Sequence, residues 1–415
     1  MRRPLRALVG VAVGALALTA CGVGSDEPSS DGSLDVLSMP TTGDAGEQPE
    51  PGAGAAEGAR EDVPSALVNP AAAELPDPLI DVDRIVSGGP PPDGIPPIDD
   101  PQFDPADEVD WLDPQEPVLA LQVDGEDRAY PVQIVIWHEI VNDSVAGVPV
   151  AVTYCPLCSS ALAFDRRLTG PDGLDRVVSF GTSGKLFNSD LLMYDRQTES
   201  LWSQLIGTGV AGVLTGVELD RFPVQTVPFE AWRDQHPDGL VLNRDTGEQR
   251  RYGDNPYEGY DLETTRPFLF DGDSDDRLPP KRRVVGVVAP GSTTAVAVDH
   301  DLLRSEGVVS VSLGGSDLVA VLLPGAASAL GPASIAEGDQ VGATAVLDPV
   351  VGAERLTLET EGGVLRDAET GSTWTLDGRA ISGPLEGSTM QVVPHSDPFW
   401  FAWAAFYPDT ELVTE

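Results

Sequence analysis

Three segments of this chain return in the same order about 170 residues later, which limits the folds open to it more than any other feature. Asp195-Arg-Gln-Thr-Glu-Ser-Leu-Trp202 is answered by Asp367-Ala-Glu-Thr-Gly-Ser-Thr-Trp374. Gly212-Val-Leu-Thr-Gly216 returns as Gly383-Pro-Leu-Glu-Gly387, and Ala231-Trp-Arg-Asp-Gln-His-Pro-Asp238 as Ala402-Trp-Ala-Ala-Phe-Tyr-Pro-Asp409. A weaker fourth match links Val178-Ser-Phe-Gly-Thr-Ser-Gly184 with Leu356-Thr-Leu-Glu-Thr-Glu-Gly362. Ordered matches at one spacing mark an internal duplication. The expected architecture is two related lobes with a cleft between them, and Trp202, Trp232, Trp374 and Trp403 build the core common to both.

The lobes read as mainly β, in an α+β arrangement with few short helices. Val118–Asp124, Val284–Val288, Thr294–Val298, Val308–Leu313 and Leu318–Leu323 are short, β-branched and bounded by Gly, Pro or Asp. A helix is expected over Pro131–Val141, with Pro131 in its first turn and Ile134, Trp137, His138 and Val141 along one face. Two more short helices are expected, from Pro228 and from Pro398. The first repeat is placed at 95–250, the connection at 251–283 and the second repeat at 284–415. Tyr252–Tyr260 in that connection, rich in aromatic and turn residues, reads as an inter-lobe brace in preference to a lid.

Composition separates what precedes the repeats. Met1-Arg-Arg-Pro-Leu-Arg6, the apolar run Ala7–Leu18 and Leu18-Thr-Ala-Cys21 resemble the lipobox of a bacterial lipoprotein signal. That resemblance implies removal of residues 1–20 and lipidation of Cys21, so the protein is expected at the outer face of the cytoplasmic membrane, held by a lipid anchor. The apolar run falls short of the ~20 residues needed to span a bilayer. Residues 21–94 are rich in Gly, Pro, Ala and acids, contain no aromatic residue and carry Arg60 and Arg84 as their only basic side chains. Such a segment buries too little apolar surface to offset chain entropy and reads as a disordered tether. The net charge of -42 argues against nucleic acid as a partner.

Chemistry gathers in one place. Trp137-His-Glu-Ile-Val-Asn-Asp143 is followed by Cys155-Pro-Leu-Cys158, in a chain with three cysteines and four histidines. The thiols end an apolar strand, Val148–Tyr154, and the turn is set by Pro156. Cys155, Cys158 and His138 are soft or borderline ligands suited to copper or zinc, with Met193 or His395 as a fourth. A thioether favours copper. Glu139 and Asp143 are candidates to orient the imidazole. His236 and His300 read as surface residues. The second repeat has no counterpart of the cysteine motif, so one asymmetric site is expected. Two other readings stay open. The pair is either a thiol-disulfide exchange centre, although the residues after Cys158 look like a returning strand and not the helix of thioredoxin-type enzymes, or a structural disulfide in a non-catalytic envelope binding module.

The blocks Arg128–Pro131, Trp137–Asp143, Val152–Cys158, Phe180–Gly184, Asn188–Gln204 and Phe399–Asp409 resemble the signature of the family called domain of unknown function 3179. The resemblance runs from about Ile95 to Val413. It implies bacterial or archaeal proteins, often exported or membrane-attached, and no activity.

Overall fold

A computed structural model describes residues 64–415. Each repeat opens with an antiparallel hairpin, Pro117–Val123 with Glu126–Pro131 in the first and Val284–Val288 with Ala295–Asp299 in the second. Asp124 and Gly125 both take positive φ (48° and 85°), as a two-residue turn between right-twisted strands demands. A short helix follows, α1 (Val132–Val135) in the first repeat; then comes the meander Ile140–Val145, Val148–Cys155 and Ser160–Asp165. A second meander runs through Phe180–Phe187, Asp190–Asp195, Leu201–Ser203 and Thr208–Ala211. The repeat closes with helix α2 (Phe229–Gln235) and a strand, Leu240–Leu242, that returns in parallel beside Glu126–Pro131.

The second repeat follows the same path. Helix α3 (His300–Glu306) takes the place of α1, and the meander is Val308–Leu313, Ser316–Leu323 and Ala343–Asp348. Leu358–Glu361, Val364–Asp367, Thr373–Trp374 and Ala380–Ser382 form the next sheet. Helix α4 (Trp400–Phe406) leads to Glu411–Val413, which returns in parallel beside Ala295–Asp299. The protein is thus mainly β and internally duplicated, and the duplication is more extensive than the matching sequence segments.

The recurring Asp-Thr-Ser-Trp pattern has a physical cause. Trp202 Nε1 donates to Asp195 Oδ2 at 3.0 Å, and Trp374 Nε1 to Asp367 Oδ2 at 2.9 Å. Both rings are fully buried, where an indole N–H must find an acceptor. Thr198 and Thr370 each bind the same carboxylate through backbone N–H and hydroxyl. Ser200 and Ser372 accept from the backbone of Leu214 and Leu385. Gly212 and Gly383 lie against those serines, and an added Cβ would meet Ser200 Oγ at 2.5 Å or Ser372 Cα at 2.7 Å.

Two expectations are corrected. The helix expected over 131–141 is only the four residues of α1: Trp137–Glu139 form a turn, and Val141 joins a strand. The β-branched series Val132, Ile134, Val135, Ile136, Ile140 and Val141 is poorly suited to extend a helix and well suited to strand pairing. The tether expected over 21–94 does not reach residue 94. Ala66 and Leu75 are buried against Phe187, Leu192 and Tyr194. Val86–Ser87 adds an edge strand opposite Leu186 and Lys185. A few well-spaced aliphatic residues and an open sheet edge are enough to order a segment whose bulk composition is polar. The signal segment, Cys21 and the tether up to residue 63 lie outside the described residues. Among the described residues, no helix is long and apolar enough to cross a membrane.

Candidate thiol–carboxylate site

The strands Val148–Cys155 and Ser160–Asp165 are joined by Pro156–Ser159, with Cys155 opposite Ser160. Ser159 closes the turn at φ 56°, its N–H donating to the Pro156 carbonyl. This geometry leaves Cys155 at the strand end and Cys158 in the turn. Both are free thiols and both are buried.

A second hairpin faces them. Asn188 and Ser189, at φ 51° and 68°, join Phe180–Phe187 to Asp190–Asp195. The Ser189 carbonyl accepts from Cys158 Sγ at 3.5 Å and lies 3.9 Å from Cys155 Sγ. Asp190 Oδ1 is 3.8 Å from Cys158 Sγ, while its Oδ2 accepts from Ser203 Oγ at 2.6 Å and from the Leu205 N–H at 3.2 Å. One ligand atom from each of Cys155, Cys158 and Asp190 lies within 4.8 Å of the other two. Glu139 is close enough to Asp190 for the two carboxylates to repel.

Burial governs the electrostatics. It pushes Asp190 up to about 7, against the opposing hydrogen bonds from Ser203 and Leu205. It pushes Glu139 up to about 8, with the charge of Asp190 adding to the effect. The Cys158 thiol is raised by burial first and by Cys155 next. Among the described residues, no Lys or Arg side chain hydrogen-bonds or ion-pairs with any of these four groups.

The connection and the second repeat brace the thiol turn. Tyr260 Oη donates to the Leu157 carbonyl at 3.2 Å, and the Phe399 N–H at the start of α4 donates to the Cys158 carbonyl at 2.8 Å. Arg283 donates to Ser159 Oγ. Tyr257 and Tyr260 are themselves buried.

The other candidate ligands are placed elsewhere. His138 spans Pro96 O at 2.6 Å and Tyr252 Oη at 2.7 Å, so both ring nitrogens are occupied. Burial lowers its pKa to about 4, and the neutral ring then donates from Nδ1 to the carbonyl and accepts at Nε2 from the phenol. Met193 is three residues along the strand from Asp190 and so projects from the opposite face, paired across the sheet with Trp202. His395 holds the Val393 carbonyl at 3.0 Å and lies 3.5 Å from Thr344 Oγ1. Asp143 accepts from Tyr130 Oη at 2.6 Å and does not orient His138. Asp190 escaped the sequence reading although it shares a block with Met193. Period-two alternation from the Asn188–Ser189 turn separates the two faces, and only the face carrying Asp190 meets the thiols.

His236 and His300, expected at the surface, are buried. His236 stacks on Trp232 between Asp127 at 3.2 Å and Asp377 at 3.6 Å, and lines a cavity of about 640 Å³ between the repeats. That cavity is not lined by Cys155, Cys158 or Asp190. Its carboxylates are already matched, Asp127 by Gln122 and Asp377 by Arg379.

In comparison with known proteins, a family model described as a protein of unknown function, DUF3179, matches residues 92–410. No curated protein and no solved structure matches.

Proposed function

The chain belongs to the DUF3179 family, and we propose that this member binds one divalent transition metal ion through Cys155, Cys158 and Asp190, with a water molecule completing the shell. The observation that carries the reading is the concentration of acidic groups without a counter-charge. Two thiols and the Asp190 carboxylate cluster in one buried space, with the Glu139 carboxyl near enough to feel the charge of Asp190 and no Lys or Arg side chain among the described residues bonded to any of them. Burying such groups as anions is costly unless a cation compensates them. A metal does so by displacing their protons.

The spacing suits a tetrahedral ion. Bonds of about 2.3 Å to sulfur and about 2.0 Å to oxygen put ligand atoms roughly 3.5–3.8 Å apart. The separation of Cys158 Sγ from Asp190 Oδ1 is 3.8 Å. The donor set also bears on the metal. A thioether would favour copper, but Met193 faces away; two soft thiolates with a hard carboxylate oxygen make a mixed donor set of the kind zinc accepts. Ser203 and the Leu205 N–H orient Asp190, leaving Oδ1 for the ion.

The lipobox-like leader supports an extracytoplasmic, lipid-anchored location, and the surface charge supports a protein that avoids nucleic acid. Thiol-disulfide exchange is the weaker reading, because an attacking thiol needs access and a lowered pKa. Cys158 is buried and its pKa is raised. Metal content and thiol titration of purified protein, with and without Cys155→Ser, test the proposal: about one equivalent of zinc that disappears in the variant supports it, and two quantitatively oxidised thiols with no metal oppose it.

A further inference from the structure

We propose that the small cavity on which Tyr154, Ser159, Arg283, His300, Ser328 and Asp397 converge is a binding site for a cluster of two or three water molecules, joining the thiol hairpin of the first repeat to the second repeat.

The cavity measures about 40 Å³. One water needs roughly 10–15 Å³ of such space, so two or three fit and a drug-sized ligand does not. His300 supplies the demand. It is 3% exposed, and among the described residues neither ring nitrogen has a hydrogen-bond partner. Burial lowers its pKa to about 4, so the ring is neutral at ordinary pH and offers one donor and one acceptor. A dry cavity would leave both unmatched.

The surrounding groups supply the two to four contacts that each water requires. Asp397 accepts from Thr344 Oγ1 at 2.6 and 2.8 Å and keeps further lone pairs. Arg283 donates to Ser159 Oγ and, at 3.3 Å, to Ser328 Oγ, with other N–H groups left over. Ser159 accepts from Arg283, which leaves its own O–H free to donate. The charges of Arg283 and Asp397 offset each other, so the site favours a neutral ligand with donors and acceptors over an ion.

The position gives the cluster a role. Tyr154 and Ser159 flank the two cysteines in sequence, whereas His300 and Asp397 belong to the second repeat. Hydration therefore extends the Arg283–Ser159 contact into a network that fixes the thiol turn against the other half of the molecule.

A high-resolution crystal structure of the protein tests the site directly, with hydrogen–deuterium exchange of residues 153–161 in His300→Gln and His300→Leu as the functional readout. Two or three water peaks within hydrogen-bond distance of His300 and Asp397 are expected. Amide exchange in the thiol hairpin should be near wild type in the Gln variant and faster by roughly tenfold in the Leu variant. An empty cavity, a bound oxyanion such as formate in place of water, or a Leu variant that protects the hairpin as well as wild type overturns the proposal. If the Leu variant does not fold, the wild-type density decides.

Discussion

Glu139 in the first repeat stands where the second repeat has Gly307. Both take left-handed backbone, at φ 61° and 76°, and both carbonyls accept the N–H of the middle meander strand, from Tyr154 and from Leu322, at 2.9 Å. Gly adopts this conformation freely, whereas a residue with a Cβ is strained by roughly 1–2 kcal/mol. The first repeat accepts that strain and gains a buried carboxylate beside Asp190. Strained non-glycine positions cluster at functional sites.

Replacing Glu139 with Gly should therefore stabilise the metal-free protein, by about 1–2 kcal/mol from backbone strain alone, and weaken metal retention. Denaturant titration of the metal-free variant checks the first part. A loss of stability would show that the carboxylate is a structural element.

The raised carboxylates set a pH dependence. Asp190 at about 7 and Glu139 at about 8 hold their protons in the folded protein, whereas the unfolded chain releases them near ordinary carboxylate values. The folded state binds more protons, so this stabilisation is fully present below about pH 4 and is lost as pH rises through 7–8, on the order of a few kcal/mol. Metal-free protein should lose stability between pH 5.5 and 8.5, less so as Glu139→Gln, and zinc should abolish the trend. Stability that rises across this range contradicts the assignment.

His138 and His300 act on the acid side. Each has a folded pKa of about 4 against about 6.5 unfolded, so the unfolded chain binds the extra proton. Stability is unaffected above 6.5 and falls as pH drops through 4, by up to about 3 kcal/mol for a fully buried ring. His300→Gln should shift the acid unfolding midpoint to lower pH. An unchanged midpoint would mean that the folded ring takes up its proton as readily as the ring of the unfolded chain.

Much of this fold was legible in the sequence because strand runs and the Asp-Thr-Ser-Trp pattern are local. Asp195 reaches Trp202 within one hairpin, so spacing alone carries the contact. The site was legible only in part. Cys155 and Cys158 share a turn, but Asp190 approaches from another sheet and Glu139 arrives through backbone strain, neither of which sequence proximity encodes. His138 was misleading for the same reason: it is near the thiols in sequence, and its partners Pro96 and Tyr252 are distant. Composition also hid the order of residues 64–94, where Ala66 and Leu75 fill a surface the first repeat supplies.

His138→Ala separates the two ligand sets. It removes hydrogen bonds to Pro96 and Tyr252 and should cost roughly 1–3 kcal/mol in stability while leaving metal content unchanged. Loss of metal without loss of stability would restore the imidazole to the coordination shell.

The most direct test is elemental analysis of the purified protein after equilibration with equimolar zinc and copper, across wild type, Cys155→Ser, Asp190→Ala and His138→Ala. The account predicts about one zinc per chain in wild type and His138→Ala, and none in the other two. Wild-type protein that retains no metal and carries a Cys155–Cys158 disulfide contradicts it.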